Sequence, residues 1–147
     1  ALNRIIGGLP RCSSNTSVYC QARQRLSTEM VSTLARQVGG MIAGSAPSWW
    51  HWQGRPVRLV DGVTVTLADT EENQADYPQP GSQKSGLGFP ICRTVAVICL
   101  GSGALLDTAT GPCQGKGSDE QTLLRGMLGT LATDDILLGD AFYPTYF

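Results

Sequence analysis

The chain has 147 residues, 41% of them hydrophobic and 16% charged, with a formal net charge of −1. That is room for one domain, or for one domain with a helical extension, and enough apolar material for a core. The apolar run 94–106 is interrupted by Gly101 and Gly103 and falls well short of the roughly 20 residues a membrane helix needs. Arg4 and Arg11 bracket only a brief apolar run, which is no signal-peptide pattern. The cysteines are Cys12, Cys20, Cys92, Cys99 and Cys113, an odd number with no C-x-x-C pair. Neither a disulfide framework nor a zinc knuckle is indicated.

Charge is unevenly spread. Residues 1–60 hold seven arginines against Glu29 alone, a balance of +6; residues 61–147 hold four basic against eleven acidic residues, a balance of −7. Either a basic part touches a polyanion while an acidic part gathers cations, or two solvated surfaces differ in sign. The chain begins at Ala1 and ends at Phe147 inside an aromatic run, which reads as a fragment of a longer protein.

The first third reads helical. Thr16 or Ser17 can cap a short helix running to Arg25. Ser27 suits the N-cap of a second, with Glu29 in the first turn, where the helix dipole favours an anion. Met30, Val31, Leu34, Val38 and Met41-Ile42 recur at helical spacing, so one face is apolar. Gly39-Gly40 should weaken this helix and the stretch 44–47 should end it. Trp49, Trp50 and Trp52 surround His51, and their expected role is packing a domain seam, with stacking on DNA the alternative.

Residues 57–67 form the clearest strand. Val57, Leu59, Asp61, Val63, Val65 and Leu67 fall on one face, so Asp61 stands in an otherwise apolar row. Residues 68–88 read as one long loop, and loops above about 12–15 residues are often functional. Two strands, 89–100 and 104–110, are joined by Gly101-Ser102-Gly103 as a hairpin. Ser118 and Gln121 have capping-box spacing for a helix burying Leu123, Leu124, Met127, Leu128 and Leu131. Residues 136–139 then read as a buried strand that delivers Asp140 at its end. The helical crossover makes this last strand parallel to a neighbour. The fold class is therefore α/β, a mixed β-β-β-α-β sheet preceded by a basic helical region, with 1–54 and 55–147 as the two parts.

If the last strand lies beside the first, Asp61 and Asp140 can converge at a strand spacing of about 4.8 Å. Two such carboxylates share a proton, find basic partners, or hold a divalent ion such as Mg²⁺. The competing reading is a bulge at Asp61-Gly62, an Asp-Gly turn signal, which would turn Asp61 away.

The words around these aspartates carry a resemblance. They are Leu59-Val60-Asp61-Gly62-Val63-Thr64-Val65, Asp69-Thr70-Glu71-Glu72-Asn73-Gln74, Tyr77-Pro78-Gln79-Pro80, the run 83–90 (QKSGLGFP), Gly115-Lys116-Gly117 and Leu137-Leu138-Gly139-Asp140. With the upstream run 19–26 (YCQARQRL), they resemble DDE transposases of bacterial insertion sequences, specifically the family-four group, from about residue 17 to 147. The resemblance implies an incomplete RNase H-like core in which Asp61 matches the first catalytic aspartate and Asp140 the second. It implies Mg²⁺ (Mn²⁺ possible) as cofactor and double-stranded DNA, the transposon ends and the target, as partner. A homodimer when full length, no membrane and a cytoplasmic, nucleoid-associated location in a bacterium follow from the same source. The family's third acid is a glutamate in a Tyr-x₂-Arg-x₃-Glu-x₆-Lys motif, and this chain stops before any such motif. Nor does an arginine or tyrosine follow Asp140 directly, as it often does in that family.

In-line attack on a phosphodiester uses two metal ions about 3.5–4 Å apart, and Asp61 is the candidate to bridge them. Arg23, Arg25, Arg55, Arg58 and Lys116 are candidates for contacts to the DNA backbone, with ordinary surface or turn roles the alternative. Glu120 reads as a first-turn helix acid, and His51 as no part of a catalytic triad. Two other functions remain open: a DNA-binding remnant of a decayed element, and a stand-alone RNase H-like nuclease whose third acid would be Asp107 or Glu120.

Overall fold

The computed structural model describes residues 16–115 and 117–143. The chain divides into two compact units, Ala1–Val31 and Ser32–Phe147. Among the described residues the α-helices are α1 (Thr16–Gln24), α2 (Thr28–Gly44), α3 (Glu71–Asp76) and α4 (Glu120–Met127), and the strands are β1 (Val57–Thr66), β2 (Ile91–Cys99), β3 (Leu105–Pro112) and β4 (Ile136–Leu138).

Ser27 starts α2 as expected, its hydroxyl accepting the Met30 N–H at 3.1 Å. The helix runs through Gly39-Gly40 instead of weakening there. Gly39 is its buried residue, and a Cβ at that position would overlap the Leu105 carbonyl. The glycine is there for close approach to β3. The apolar face of α2 lies open: Leu34, Val38, Met41 and Ile42 are all exposed. Trp49, Trp50 and Trp52 are exposed too, so among the described residues they seal no seam.

The sheet has the order β3-β2-β1-β4. β1 pairs antiparallel with β2 and parallel with β4, and β2 pairs antiparallel with β3. This is the mixed α/β sheet expected, and its order agrees with the first part of an RNase H-like fold. The hairpin closes where the glycines sit: Gly103 has φ 69°, and the Cys99 and Ala104 backbones join across the turn at 2.8 Å.

Two local expectations fail. The stretch 68–88 is not one loop but contains α3, capped by the Thr70 hydroxyl accepting the Asn73 N–H at 3.2 Å. Behind it, the Gln79 side-chain carbonyl accepts the Gly86 and Gly88 N–H groups while its amide donates to the Gln83 and Lys84 carbonyls. A single glutamine thus organises a segment whose prolines and glycines suggested irregularity. The cap of α4 is Asp119, not Ser118: its carboxylate accepts both the Thr122 N–H (2.9 Å) and hydroxyl (2.8 Å). Those two bonds, the backbone one foremost, hold the Asp119 carboxyl below its usual range. Ser118 instead donates to the Gly115 carbonyl, and Gln121 to the Phe142 carbonyl at 2.6 Å.

The core lies between the sheet and α4. Val60, Val95, Val97, Cys99, Leu106, Leu124, Met127 and Tyr143 form it. Leu128, expected inside, is 37% exposed because the chain tightens into a 3-10 turn over Leu128–Thr130. The opposite strand face is open: Val63 is 58% and Val65 43% exposed.

Candidate functional site around Asp61, Asp140 and Glu120

The pairing of β1 decides where Asp61 points. It runs without a break from Arg58↔Cys99 through Asp61↔Ala96 and Gly62↔Val95 to Thr66↔Ile91, so no bulge turns the aspartate aside. Side chains alternate along a strand. Val60 faces the core, hence Asp61 faces the open side with Val63 and Val65. The apolar row is real, but it is solvent-exposed and Asp61 is exposed within it. Dehydration of its charge, the force expected to demand a cation, is therefore absent among the described residues.

Asp140 lies two residues past the end of β4. β1 and β4 pair in parallel as Val57↔Ile136, Arg58↔Leu137 and Leu59↔Leu138. A Cβ on Gly139 would stand 2.9 Å from Val60 Cγ1, so the chain stays alongside β1 one residue past the strand. Continued by one more residue, the register sets Asp140 opposite Asp61. Its carboxylate accepts the Phe142 N–H at 2.9 Å, and this turn sends Tyr143 back under the sheet.

Tyr143 engages a third acid, Glu120, on the covered face of the sheet. Its ring is buried in the core, 4% exposed, and its hydroxyl donates to Glu120 Oε2 at 2.7 Å. Burial raises the Tyr143 pKa well above the usual tyrosine value, and the Glu120 bond and charge, then the charges of Asp61 and Asp140, raise it further. Glu120 Oε1 also lies 3.9 Å from Arg93 Nε, while Arg93 Nη1 donates to the Ser118 carbonyl. The Glu120 carboxyl occupies the space that a Cβ on Gly62 would fill. Gly62 is thus no turn residue. It admits Glu120 to the covered face of β1, at the residue next to Asp61 but on the opposite side of the strand.

The sequence named Glu120 only as a first-turn helix acid or as the third acid of a stand-alone nuclease, and gave no sign of Tyr143. The available signal was Gly62, a residue that costs strand stability unless something approaches closely there. The other candidates lie apart. Arg55 spends its guanidinium on the Asp134 and Asp135 carbonyls, and Arg58 pairs with Asp135 at 3.0 Å. Arg23 and Arg25 are exposed at the end of α1, and Lys116 lies outside the described residues. Asp107, on β3, pairs with Arg36 at 3.1 Å and accepts from the Thr130 hydroxyl at 2.8 Å, two strands away from Asp61.

The Asp61–Asp140 pair suits a hydrated Mg²⁺ ion, which binds through one or two carboxylates and keeps several waters. Among the described residues no group of three or more His, Cys, Asp or Glu is disposed to hold a metal. No described helix is long and apolar enough to cross a membrane.

A comparison of sequences reaches the same quarter. Over 128 residues the chain is 30% identical to an Escherichia coli (strain K12) protein described as "Putative transposase InsZ". This chain is similar to a transposase. The match takes in 86% of the chain and 42% of that protein, so the chain spans less than half the length of the curated relative it matches. No family model matches the chain, and no solved structure does.

Proposed function

We propose that this chain is the part of a DDE-type, insertion-sequence family-four transposase that carries the first two catalytic carboxylates. The observation that supports this reading is the parallel β1–β4 register, which brings the end of β4, just before Asp140, alongside the strand that carries Asp61. The transposase similarity supports it. On this reading residues 1–54 are a basic helical region and 55–147 the first part of the catalytic domain. The full-length protein would cleave and join DNA strands at transposon ends as a pair of copies, with its third acid supplied from outside this chain.

Asp61 and Asp140 would hold Mg²⁺ or Mn²⁺, which supplies activation of the attacking oxygen and stabilisation of the leaving one. The chain's own contribution is placement. β1 fixes Asp61, the Asp140–Phe142 turn fixes Asp140, and the open face leaves a DNA backbone room to approach. Mn²⁺ titration followed by paramagnetic broadening of NMR signals tests this. Signals near residues 61 and 140 should broaden in the wild type and not in Asp61→Asn or Asp140→Asn. Equal broadening in all three proteins would rule the pair out as a metal site.

A second reading has a specific observation behind it: Glu120 packs on Gly62, the residue after Asp61, and its charge and those of Asp61 and Asp140 all bear on the Tyr143 hydroxyl, whereas Asp107 is engaged elsewhere. With Glu120 as third acid the chain would be a self-sufficient nuclease. Metal-dependent nicking of supercoiled DNA by the purified chain, lost in both Asp61→Asn and Glu120→Gln, would establish that reading over the first.

A further inference from the structure

At the start of β1, beside Pro56 and Arg58, lies a cavity of about 550 Å³. It falls within the size range of small-ligand sites. Arg36, His51, Arg58 and Thr130 line it, and no acidic residue does among the described residues. Both arginines have carboxylate partners, Asp107 and Asp135, but neither of those lines the cavity, so its wall presents donors and positive charge. Arg58 is the more exacting group. Its side chain is only 15% exposed, and its buried Nε meets Asp135 at 3.0 Å without hydrogen-bond geometry. A buried donor without a hydrogen bond is costly, and in this guanidinium that donor is Nε.

The helix wall gives an independent argument. Gly40 and Gly44 of α2 also line the cavity. Neither has a positive φ, and a Cβ at either would meet nothing within 4 Å. Gly39 next door is required by packing; these two are not. Glycine within a helix is unfavourable relative to alanine, so packing offers no reason for either. What they do is keep the cavity open.

We propose that this cavity binds a phosphate group, with Arg36 and Arg58 as its charged donors and His51 and Thr130 beside them. A planar guanidinium pair facing an acid-free cavity suits the several oxygens of a phosphate. The phosphate can belong to a free ion or to a nucleic-acid backbone. The site shares no residue with Asp61 and Asp140 and does not rest on the catalytic reading.

Calorimetric titration with inorganic phosphate, and separately with a short DNA duplex, tests it. Arg36→Gln should weaken phosphate binding about tenfold, the effect of one lost charge-assisted bond. Gly40→Leu should fill the cavity and abolish binding while the melting temperature holds or rises, a combination that general damage to the fold would not produce. Asp61→Asn should bind phosphate as the wild type does. A fall in duplex affinity in the same two variants would identify the ligand as a DNA phosphate, and unchanged duplex affinity would identify it as the free ion; both support the site. No phosphate binding by the wild type, or equal binding by wild type, Arg36→Gln and Gly40→Leu, overturns it.

Discussion

The two faces of the sheet differ in what holds them. On one, Val60, Val95 and Val97 are packed under α4, with Leu124 fully buried against them. On the other, Val63 and Val65 are largely exposed and Asp61 stands among them. The covered face is where stability resides, because each apolar group removed from water contributes about 25 cal/mol per Å². The open face carries the chemistry-bearing residues and little of the packing. A carboxylate can sit there without the desolvation cost it would meet on the other side.

The comparison can be broken by substitution, face by face. Leu124→Ala, on the covered face, should destabilise the protein by about 2–5 kcal/mol, read as a lower midpoint in urea unfolding. A loss under about 1 kcal/mol would mean that α4 does not anchor the core. Gly62→Ala should cost about 1–3 kcal/mol, since the new methyl displaces the Glu120 carboxyl. Combined with Glu120→Ala most of that cost should vanish, and a double-mutant cycle showing simple additivity would refute the contact.

Tyr143→Phe removes the bond to Glu120 and should cost about 1 kcal/mol at neutral pH. The sign of its pH dependence follows from the raised pKa. The phenol is neutral in the folded state over a range where it ionises in the unfolded one, so its contribution is complete below about pH 10 and is lost as pH rises above that. The wild type should therefore lose stability in alkali faster than Tyr143→Phe, as parallel melts would show. The smallest effect belongs to the open face. Val63→Thr should change stability by less than about 0.5 kcal/mol, and a large loss would mean that something covers that face.

Much of this was legible in the residues. The strand at β1, its hairpin successors and the parallel return of β4 follow from local patterning and one helical crossover. The parity that places Asp61 opposite Val60 follows from strand alternation alone. The helix α3 was obscured because Pro78, Pro80, Gly81 and their neighbours dominate the stretch, whereas Thr70 and Gln79 organise it through side-chain bonds. At α4, Ser118 and Asp119 are adjacent and both can cap; a one-residue choice between them is a matter of geometry. The expectation that Asp61 is hemmed in by hydrophobes confused the pattern of a row with its burial.

The sequence by itself determined the strand periods, the glycine-closed hairpin and the order of elements, because these depend on neighbours a few positions apart. It also set which residues share a strand face. Only the tertiary structure decided which of the sheet's two faces is covered, that Glu120 enters that face through the space left by Gly62, and that Tyr143 folds back to hold it. Those contacts join residues 20 to 60 or so positions apart. Nothing in a local pattern encodes them: each exists only once the sheet, the crossover helix and the turn after Asp140 have been assembled together.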